Sequence, residues 1–489
     1  MIKIGTLLLA IIFLWRFALC RTLKKLYVDS LIITIVVELF IERGYFVQLG
    51  SQQISYRTVC ENIVFIVSIF VACYKGIEIR KNRLISYGAL FVVIALGLVF
   101  LILFPTSATG ANFDVAWDQI LVLGYSRQPI RFTTSMILEI IQLIMFMGIS
   151  MVAFSYLHEE DWKEILDSVI KISQYFIFIG LVEVVTKYIF RSNIISIISD
   201  TLLGISASTS TTLITRGSGF ELTGLNKEAS HYVFILCIVL ILFIAKVKLN
   251  QIENRQTDKT VKLSMVAIIL IIIFSFSFSS LYYGICVVVL LLCMLATRRG
   301  KSPVKLLGII VGVALGITIL INELPAIASG LSTTGFWGRR INSLVEEMNQ
   351  ISSGNWLNAS TALEWSNRVR LGSTYETFKL FKYSPLIGLG FASVTAHSSL
   401  AMLVVGCGGI GTYLYILVLF GIGTRKYLNY DRSLFLTIML IYLAMNIFNS
   451  MGFRAFYECW TILLAVSMQV LSFHRDTTYL EESIEEKKV

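Results

Sequence analysis

Long apolar segments, separated by polar connectors, run through most of the chain. A helix of about 20 mainly apolar residues is long enough to cross the hydrocarbon core of a bilayer. Backbone hydrogen bonds in lipid are satisfied only in helices or closed barrels, and the sequence lacks the alternating pattern of a barrel. We therefore expect an all-α polytopic membrane protein with about 12–13 transmembrane helices. The candidate segments are 4–20, 26–42, 60–74, 84–104, 133–155, 172–189, 229–245, 263–279, 280–296, 306–322, 397–420, 434–450 and 457–472.

The composition excludes several other classes of protein. Of the 489 residues, 56% are hydrophobic and 15% are charged, whereas about 25% charged residues are usual in soluble domains. A soluble enzyme, a disordered scaffold and a nucleic-acid-binding domain are set aside. The net charge of +10 does not point to a nucleic acid partner, because the basic residues are concentrated in alternate loops.

This uneven distribution of Lys and Arg predicts the orientation. One set of alternate loops is roughly three times as dense in Lys and Arg as the other, and the denser set is expected in the cytoplasm. This places the tail 473–489 inside the cell and the loops 190–228 and 323–396 outside. The denser set comprises 21–25, 75–83, 156–168, 246–262, 297–305, 423–433 and the tail.

The loop 323–396 is the largest non-membrane element of a chain that we treat as one integral membrane domain, 1–489. Apolar residues between Ile341 and Ile351 recur at helical spacing. A second amphipathic stretch runs from Arg368 to Lys382, and Pro385 prevents its continuation. We expect both stretches to be helices that lie in the membrane interface. The alternative is a loop that merely covers the bundle. Because the cytoplasmic connectors are short and contain no nucleotide-binding motif, any chemistry is expected at the outer face without ATP.

Few side chains on the outer side are suited to proton transfer or anion binding. His397 and His231 are the two histidines at outer ends of segments, and histidine alone titrates near neutral pH without perturbation. Arg216 precedes a glycine-rich stretch, and this combination can bring backbone N–H groups and a guanidinium to an anion. For each of these residues a purely structural role is the alternative.

The acidic residues and cysteines do not indicate a metal site or a cofactor. Asp114 and Asp118 are four residues apart, but a solvated turn is favoured over a metal pair. Intramembrane acids suggest function, although ion pairs inside the bundle would also explain them; they are Glu38, Glu139 and Glu183. The cysteines lack metal-binding spacing. The glycines in segment 397–420 indicate close helix packing; they are Gly406, Gly408, Gly409 and Gly411.

Two short motifs and their order in the chain resemble those of the O-antigen ligase and Wzy-type polysaccharide polymerase superfamily of bacterial membrane glycosyltransferases. Members have an Arg, a helix, a P-L-x-G-x-G turn and a His in a large outer loop. Here Arg370 is followed by Pro385-Leu-Ile-Gly-Leu-Gly390 and then by His397. The family's R-x-x-G-x-F…P-N pattern is similar to Arg216-x-x-Gly-Phe, which leads to Asn226. The many-span layout fits nearly the whole chain.

The resemblance implies a GT-C-like fold and polymerisation of oligosaccharide units carried on undecaprenyl diphosphate, at the outer face of the bacterial cytoplasmic membrane. The product would be a capsular, exopolysaccharide or O-antigen chain. His397 would be the general base, and Arg216 and Arg370 would bind the diphosphate. The other partners implied are the lipid bilayer and a flippase and chain-length regulator of the same pathway.

The sequence departs from the family pattern at three places. Leu225 replaces a proline, Ser398 replaces an asparagine after the His, and the Ser-Arg pair expected near position 279 has no arginine. The missing phosphate contact could come from Arg368, Arg339 or Arg340. If His397 is not the base, the next carboxylates to test are Glu221, Glu228 and Asp114. Transfer to another acceptor by a ligase, a lipid-linked oligosaccharide flippase or transporter, and a non-catalytic assembly partner remain alternatives.

Overall fold

A computed structural model gives the architecture of most of the predicted bundle. It describes residues 4–41, 44–49, 52–77, 81–104, 130, 132–204, 215–216, 219–220, 222–226, 229–275, 278–297, 342, 374, 377–394, 396–421, 432–449, 451–452 and 454–472. The predicted segment 306–322, the tail 473–489 and most of the loop 323–396 lie outside the described residues.

The described chain is mostly helical, as expected. The helices are α1 (Ile4–Leu19), α2 (Leu23–Phe40), α3 (Tyr56–Lys75), α4 (Lys81–Leu103), α5 (Thr134–Tyr156), α6 (Glu159–Tyr188), α7 (Ile194–Leu203), α8 (Ala229–Ile252), α9 (Lys259–Phe274), α10 (Phe278–Thr297), α11 (Ser399–Ile416), α12 (Arg432–Met445), α13 (Arg454–Tyr457) and α14 (Cys459–Ser472). A π-helical turn, Leu417–Gly421, continues α11.

Helices occupy twelve of the thirteen predicted segments, and the thirteenth lies outside the described residues. Within the described chain, six helices are long and apolar enough to cross a membrane. They are Tyr56–Lys75, Leu84–Leu103, Thr134–Tyr156, Glu159–Tyr188, Ala229–Ile252 and Ser399–Phe420. Several others are shorter apolar helices, among them Leu434–Met445 and Cys459–Ser472.

Two small hairpins lie outside the predicted membrane segments. Tyr45–Leu49 (β1) pairs antiparallel with Gln52–Ser55 (β2), and Thr215–Arg216 (β3) pairs with Gly219–Phe220 (β4). Both lie in connections between helices, where the absence of a helical hydrophobic period left the local structure undetermined by sequence. The amphipathic stretch that ends at Lys382 closes in a 3-10 turn, Phe381–Tyr383, just before Pro385.

The core is centred on α8, which is apolar on every face. A helix with this pattern is stable only when it is surrounded, and residues from Tyr232 to Ala245 are nearly all buried. Helices α6, α9, α10 and α14 pack around α8, while α2, α3 and α5 form a neighbouring group. Helix α14 is also buried along its length, and Trp460 on it is inaccessible.

The two ends of this bundle differ in their charged residues. At one end, ion pairs join the starts of α2 and α6 to the end of α8: Lys24 to Asp161 at 2.8 Å and Lys163 to Glu253 at 2.7 Å. We call this the Lys163 end. The opposite end gathers the starts of α3, α5, α8, α11 and α14 and the ends of α2 and α6. It contains His397, and we call it the His397 end.

Candidate functional site

The turn that follows Pro385 is inserted into a break in α11. Gly408 has φ +67° and ψ −178°, which interrupts the helix in its middle. The N–H of Gly409 donates to the Pro385 carbonyl at 2.7 Å, and the Leu389 N–H donates to the Val405 carbonyl at 2.8 Å. The turn therefore satisfies backbone groups on both sides of the break, groups that would otherwise be costly to bury in a membrane.

Glycines make this contact sterically feasible. A Cβ on Gly388 would lie 2.4 Å from the Gly406 carbonyl oxygen, and one on Gly408 would lie 2.4 Å from the Leu386 carbonyl oxygen. Both glycines also have positive φ, which other residues adopt at a cost. The prediction that these glycines allow close packing of another helix is therefore wrong for Gly408, because the turn after Pro385 approaches it instead. At Gly411 it is correct, because Val93 of α4 approaches there.

The chain next to His397 is fixed by contacts from a distant segment. The Ser399 N–H donates to the Asn449 carbonyl at 2.8 Å, and the Leu400 N–H donates to the Asn446 carbonyl at 3.0 Å. Ser398 caps α11 by accepting the Ala401 N–H at 3.1 Å. His397 is half-buried. It lies between the turn after Pro385, which is hydrogen-bonded to α11, and the start of α11, which Ser398 caps and the segment 446–449 holds in place.

The glycine-rich stretch after Arg216 is anchored to α6 by a buried acid. The Glu183 carboxylate accepts N–H groups from Thr223 at 3.1 Å and Gly224 at 2.6 Å, and it pairs with Lys187 at 2.6 Å. Glu183 is completely inaccessible. The backbone of Arg216 pairs with Gly219 in the second hairpin, so both ends of the motif have defined local structure.

A buried charged centre lies at the same end, between α2, α3 and α14. Arg57 Nε binds Glu61 at 2.7 Å, and Arg57 Nη1 lies 3.3 Å from Glu458. The Trp460 backbone N–H donates to Glu38 at 3.1 Å, while its indole N–H donates to Glu458. Glu38 and Glu458 are inaccessible and Arg57 is 3% exposed. A network of this kind fixes the relative positions of three helices.

The structure describes three of the predicted site residues, and no contact among the three is observed in this part of the chain. His397 and His231, which is buried in the first turn of α8, are described, as is the backbone of Arg216. The other candidates lie outside the described residues: Asp114, Glu221, Glu228, Arg339, Arg340, Arg368 and Arg370. Among described residues, no group of His, Cys, Asp and Glu is arranged to hold a metal ion.

Sequence reasoning missed the contributions of Arg57, Glu61, Glu458 and the two asparagines. Arg57 and Glu61 are four residues apart at the start of an apolar segment, and this spacing puts both side chains on one helix face. That spacing was a detectable signal. Asn446 and Asn449 had none, because their role depends on carbonyl groups and on a distant helix.

Comparison with protein-family models gives no match, and comparison with curated proteins finds no significant similarity.

Proposed function

We propose that this protein is an O-antigen ligase-like membrane glycosyltransferase that polymerises oligosaccharide units carried on undecaprenyl diphosphate. It would act at the outer face of the bacterial cytoplasmic membrane, with the His397 end outward. The observation that supports the proposal most is the lock between the turn after Pro385 and the break at Gly408. The motif Pro385–Gly390 carries the family resemblance. In the structure its backbone binds both sides of the break in α11, close in the chain to the half-buried His397.

The proposed reaction needs no energy source other than the donor. The acceptor hydroxyl oxygen attacks the anomeric carbon of the donor glycan, the bond from that carbon to the diphosphate oxygen breaks, and the lipid diphosphate leaves with the bonding electrons. The acceptor proton passes to the imidazole of His397. A positioned general base contributes roughly 10²–10⁴-fold to the rate.

The arginines would stabilise the leaving group. A guanidinium is always charged and can bind two phosphate oxygens at once, so Arg216 and Arg370 are the proposed contacts to the diphosphate. The anchor from Glu183 to Gly224 supports this assignment for Arg216, because it holds the following stretch of chain against α6. Arg368, Arg339 and Arg340 remain candidates for a further contact.

One departure from the family pattern is compatible with the proposal. Ser398 occupies the position of the family's asparagine and caps α11. Asparagine and serine are about equally good N-cap residues. The substitution therefore preserves the start of the helix beside His397.

The test is an assay of purified protein in proteoliposomes with undecaprenyl-diphosphate-linked repeat units. Lengthening of the glycan supports the polymerase, transfer to a different acceptor identifies a ligase, and movement of the lipid without a new glycosidic bond identifies a flippase. His397→Ala is expected to reduce the rate by roughly two to four orders of magnitude. His231→Ala should cost much less. Near-wild-type activity of His397→Ala would exclude this residue as the base.

The charge contacts have a separate test. Arg370→Lys retains the positive charge but loses the planar fork, so we expect a large loss of polymer at unchanged protein level. If Arg370→Lys and Arg370→Ala both polymerise normally, Arg370 is not a diphosphate contact.

The flippase alternative is favoured by one observation, the broken helix α11. Transporter sites commonly lie at discontinuous helices. In this chain, however, the turn after Pro385 fills the break with its own backbone, whereas a transport site would leave backbone groups there for the substrate or ion.

A further inference from the structure

Three planar polar side chains lie side by side at the His397 end, outside the site described above. Glu139 and Gln142 are on α5, and Arg454 is on the short helix α13. All three are half-buried, so each keeps an accessible surface. The guanidinium of Arg454 lies close enough to attract the Glu139 carboxylate. We call these three residues the α5–α13 cluster.

The cluster is held by a rigid backing. The Tyr457 O–H donates to Glu139 and lies 3.3 Å from Gln142 Oε1. The Tyr457 ring in turn lies under the Arg57 guanidinium, 5.8 Å from its centre, and Arg57 is fixed by Glu61 and Glu458. Rigid support of this kind is needed where a site must select one orientation of a ligand, and it is more than a simple surface ion pair requires.

The cluster adjoins the locked turn that leads to His397. A Cβ on Gly390 would lie 3.2 Å from Met136 Cε, so the turn rests on the first helical turn of α5. Glu139 follows Met136 by three residues and shares its face. At about 1.5 Å per residue, Glu139 lies about 8 Å from the start of α5. Glu139 is therefore within the first two turns of α5, near the end of the helix that faces the locked turn.

The hydrogen-bonding capacity that remains suits a neutral molecule with adjacent hydroxyl groups. Tyr457 engages one carboxylate oxygen of Glu139 and the amide oxygen of Gln142; within the described chain, no residue donates to the second oxygen of Glu139. That oxygen can accept a hydroxyl proton, and the Gln142 amide N–H groups can donate to a hydroxyl oxygen. Neighbouring hydroxyls of a sugar offer this pairing of donor and acceptor.

The charges nearby make an anionic ligand unsuitable. Four carboxylates lie in this region, on Glu38, Glu61, Glu139 and Glu458, and the described arginines near them are Arg57 and Arg454. The Arg57 guanidinium is already bound by Glu61 and Glu458, and that of Arg454 faces Glu139, so a diphosphate would have to displace existing partners. We propose that the α5–α13 cluster is a subsite for the hydroxyl groups of the acceptor saccharide. This rests on the proposed glycosyl transfer and assigns the acceptor a place separate from the diphosphate contacts.

The experiment varies donor and acceptor independently. The donor is the undecaprenyl-diphosphate-linked repeat unit, and the acceptor is the same oligosaccharide released from its lipid by mild acid. We expect Glu139→Gln and Gln142→Leu each to raise the KM for the free oligosaccharide by about 10- to 100-fold, the usual effect of losing a hydrogen bond to or near a charged group. The KM for the donor and the binding of undecaprenyl diphosphate should change little.

The matched control is Gln174→Leu, which removes a glutamine that contacts Thr260, away from the cluster. It should leave both KM values unchanged. If Glu139→Gln fails to insert, Gln142→Leu decides alone, because Gln142 carries no charge. An active wild-type protein with unchanged acceptor KM in the inserted variants overturns the subsite only. A wild-type protein that makes no glycosidic bond overturns the proposed function as well.

Discussion

The carboxylate of Glu183 accepts the backbone N–H of Gly224 at 2.6 Å, across 41 residues of chain. It also binds Lys187 one helical turn away. A single inaccessible acid on α6 therefore fixes the stretch of chain between the second hairpin and α8. The conformation of this part of the molecule therefore depends on one buried side chain.

Glu183→Gln should therefore destabilise the protein. The amide has an NH₂ group in place of one of the two oxygens that accept the Thr223 and Gly224 N–H groups. The buried charge of Lys187 would also lose its Glu183 partner, and breaking a buried ion pair typically costs about 3–5 kcal/mol. The double variant Glu183→Gln with Lys187→Met removes that charge and should recover part of the loss. Thermal unfolding in detergent measures both. Equal stability of the single and double variants would contradict a buried pair.

Gly408→Ala should disrupt the lock in α11. The new Cβ would lie 2.4 Å from the Leu386 carbonyl oxygen, and the positive φ adds about 1–3 kcal/mol of strain. We expect loss of transfer activity together with a lower unfolding temperature. Gly88→Ala is the control, since no atom lies within 4 Å of a Cβ built there. It should be neutral or stabilise α4 by up to about 1 kcal/mol. Similar behaviour of the two variants would refute the lock.

Arg57→Gln should be among the most destabilising single changes at the His397 end. It leaves Glu61 and Glu458 without their guanidinium in an inaccessible site, and broken buried ion pairs typically cost about 3–5 kcal/mol. Arg255→Gln, an exposed arginine next to Glu253 at the Lys163 end, should change stability by less than about 1 kcal/mol. The measurement is the fraction of folded protein after heating in detergent, and a small effect of Arg57→Gln would argue against the buried network.

Stability should depend on pH through the Lys163 end. The hydrogen bond from Lys163 holds the pKa of Glu253 below its ordinary value, with further attraction from Lys163, Arg255 and Lys246. A lowered pKa in the folded state stabilises the protein above the pKa of the unfolded state, and this stabilisation is lost as pH falls through the folded pKa. Glu253→Gln should thus lower stability at pH 7 by up to about 1 kcal/mol.

The difference between wild type and Glu253→Gln should disappear in acid, where both side chains are neutral. Unfolding temperatures measured from pH 7 downwards check this. Glu160→Gln, an exposed acid at the start of the same helix as Lys163, is the comparison. A difference between wild type and Glu253→Gln that persists unchanged into acid would mean that the ion pair is not its source.

Orientation can be measured with single cysteines in a cysteine-free background. A cysteine at Ser353, in the loop 323–396, should react with an impermeant maleimide in intact cells. A cysteine at Arg255, at the Lys163 end, should react only after permeabilisation. The reverse pattern would show that the orientation in the membrane is opposite to the predicted one, and it would contradict the proposed chemistry at the outer face.

The helices were predictable because lipid imposes a length and an apolar composition that a sequence displays directly. Even segment 26–42, which contains Asp29 and Glu38, proved helical, since both acids are buried against other helices. The break at Gly408 was not predictable. The glycines in this segment indicated close packing, but whether a helix or a turn approaches them depends on where Pro385 lies in space.

The candidate site was likewise predictable only in part. The sequence pointed to His397 through its position after a Pro-Gly turn, and to Glu183 as an intramembrane acid. It could not show that the Glu183 carboxylate binds the backbone of Gly224, because nearly every residue has a backbone N–H group and the side-chain pattern does not indicate which one is bound. The contact of Asn449 with Ser399 was equally invisible, since any residue supplies a carbonyl group.

The two sets of contacts on either side of His397 have a consequence for biosynthesis. The turn after Pro385 leaves the ribosome before α11, whereas the Asn449 carbonyl that binds Ser399 is made 50 residues later. The region around His397 can therefore take its final form only after α12 has been translated and inserted. Incomplete chains that end before Asn449 would lack the contact that holds the start of α11 beside His397.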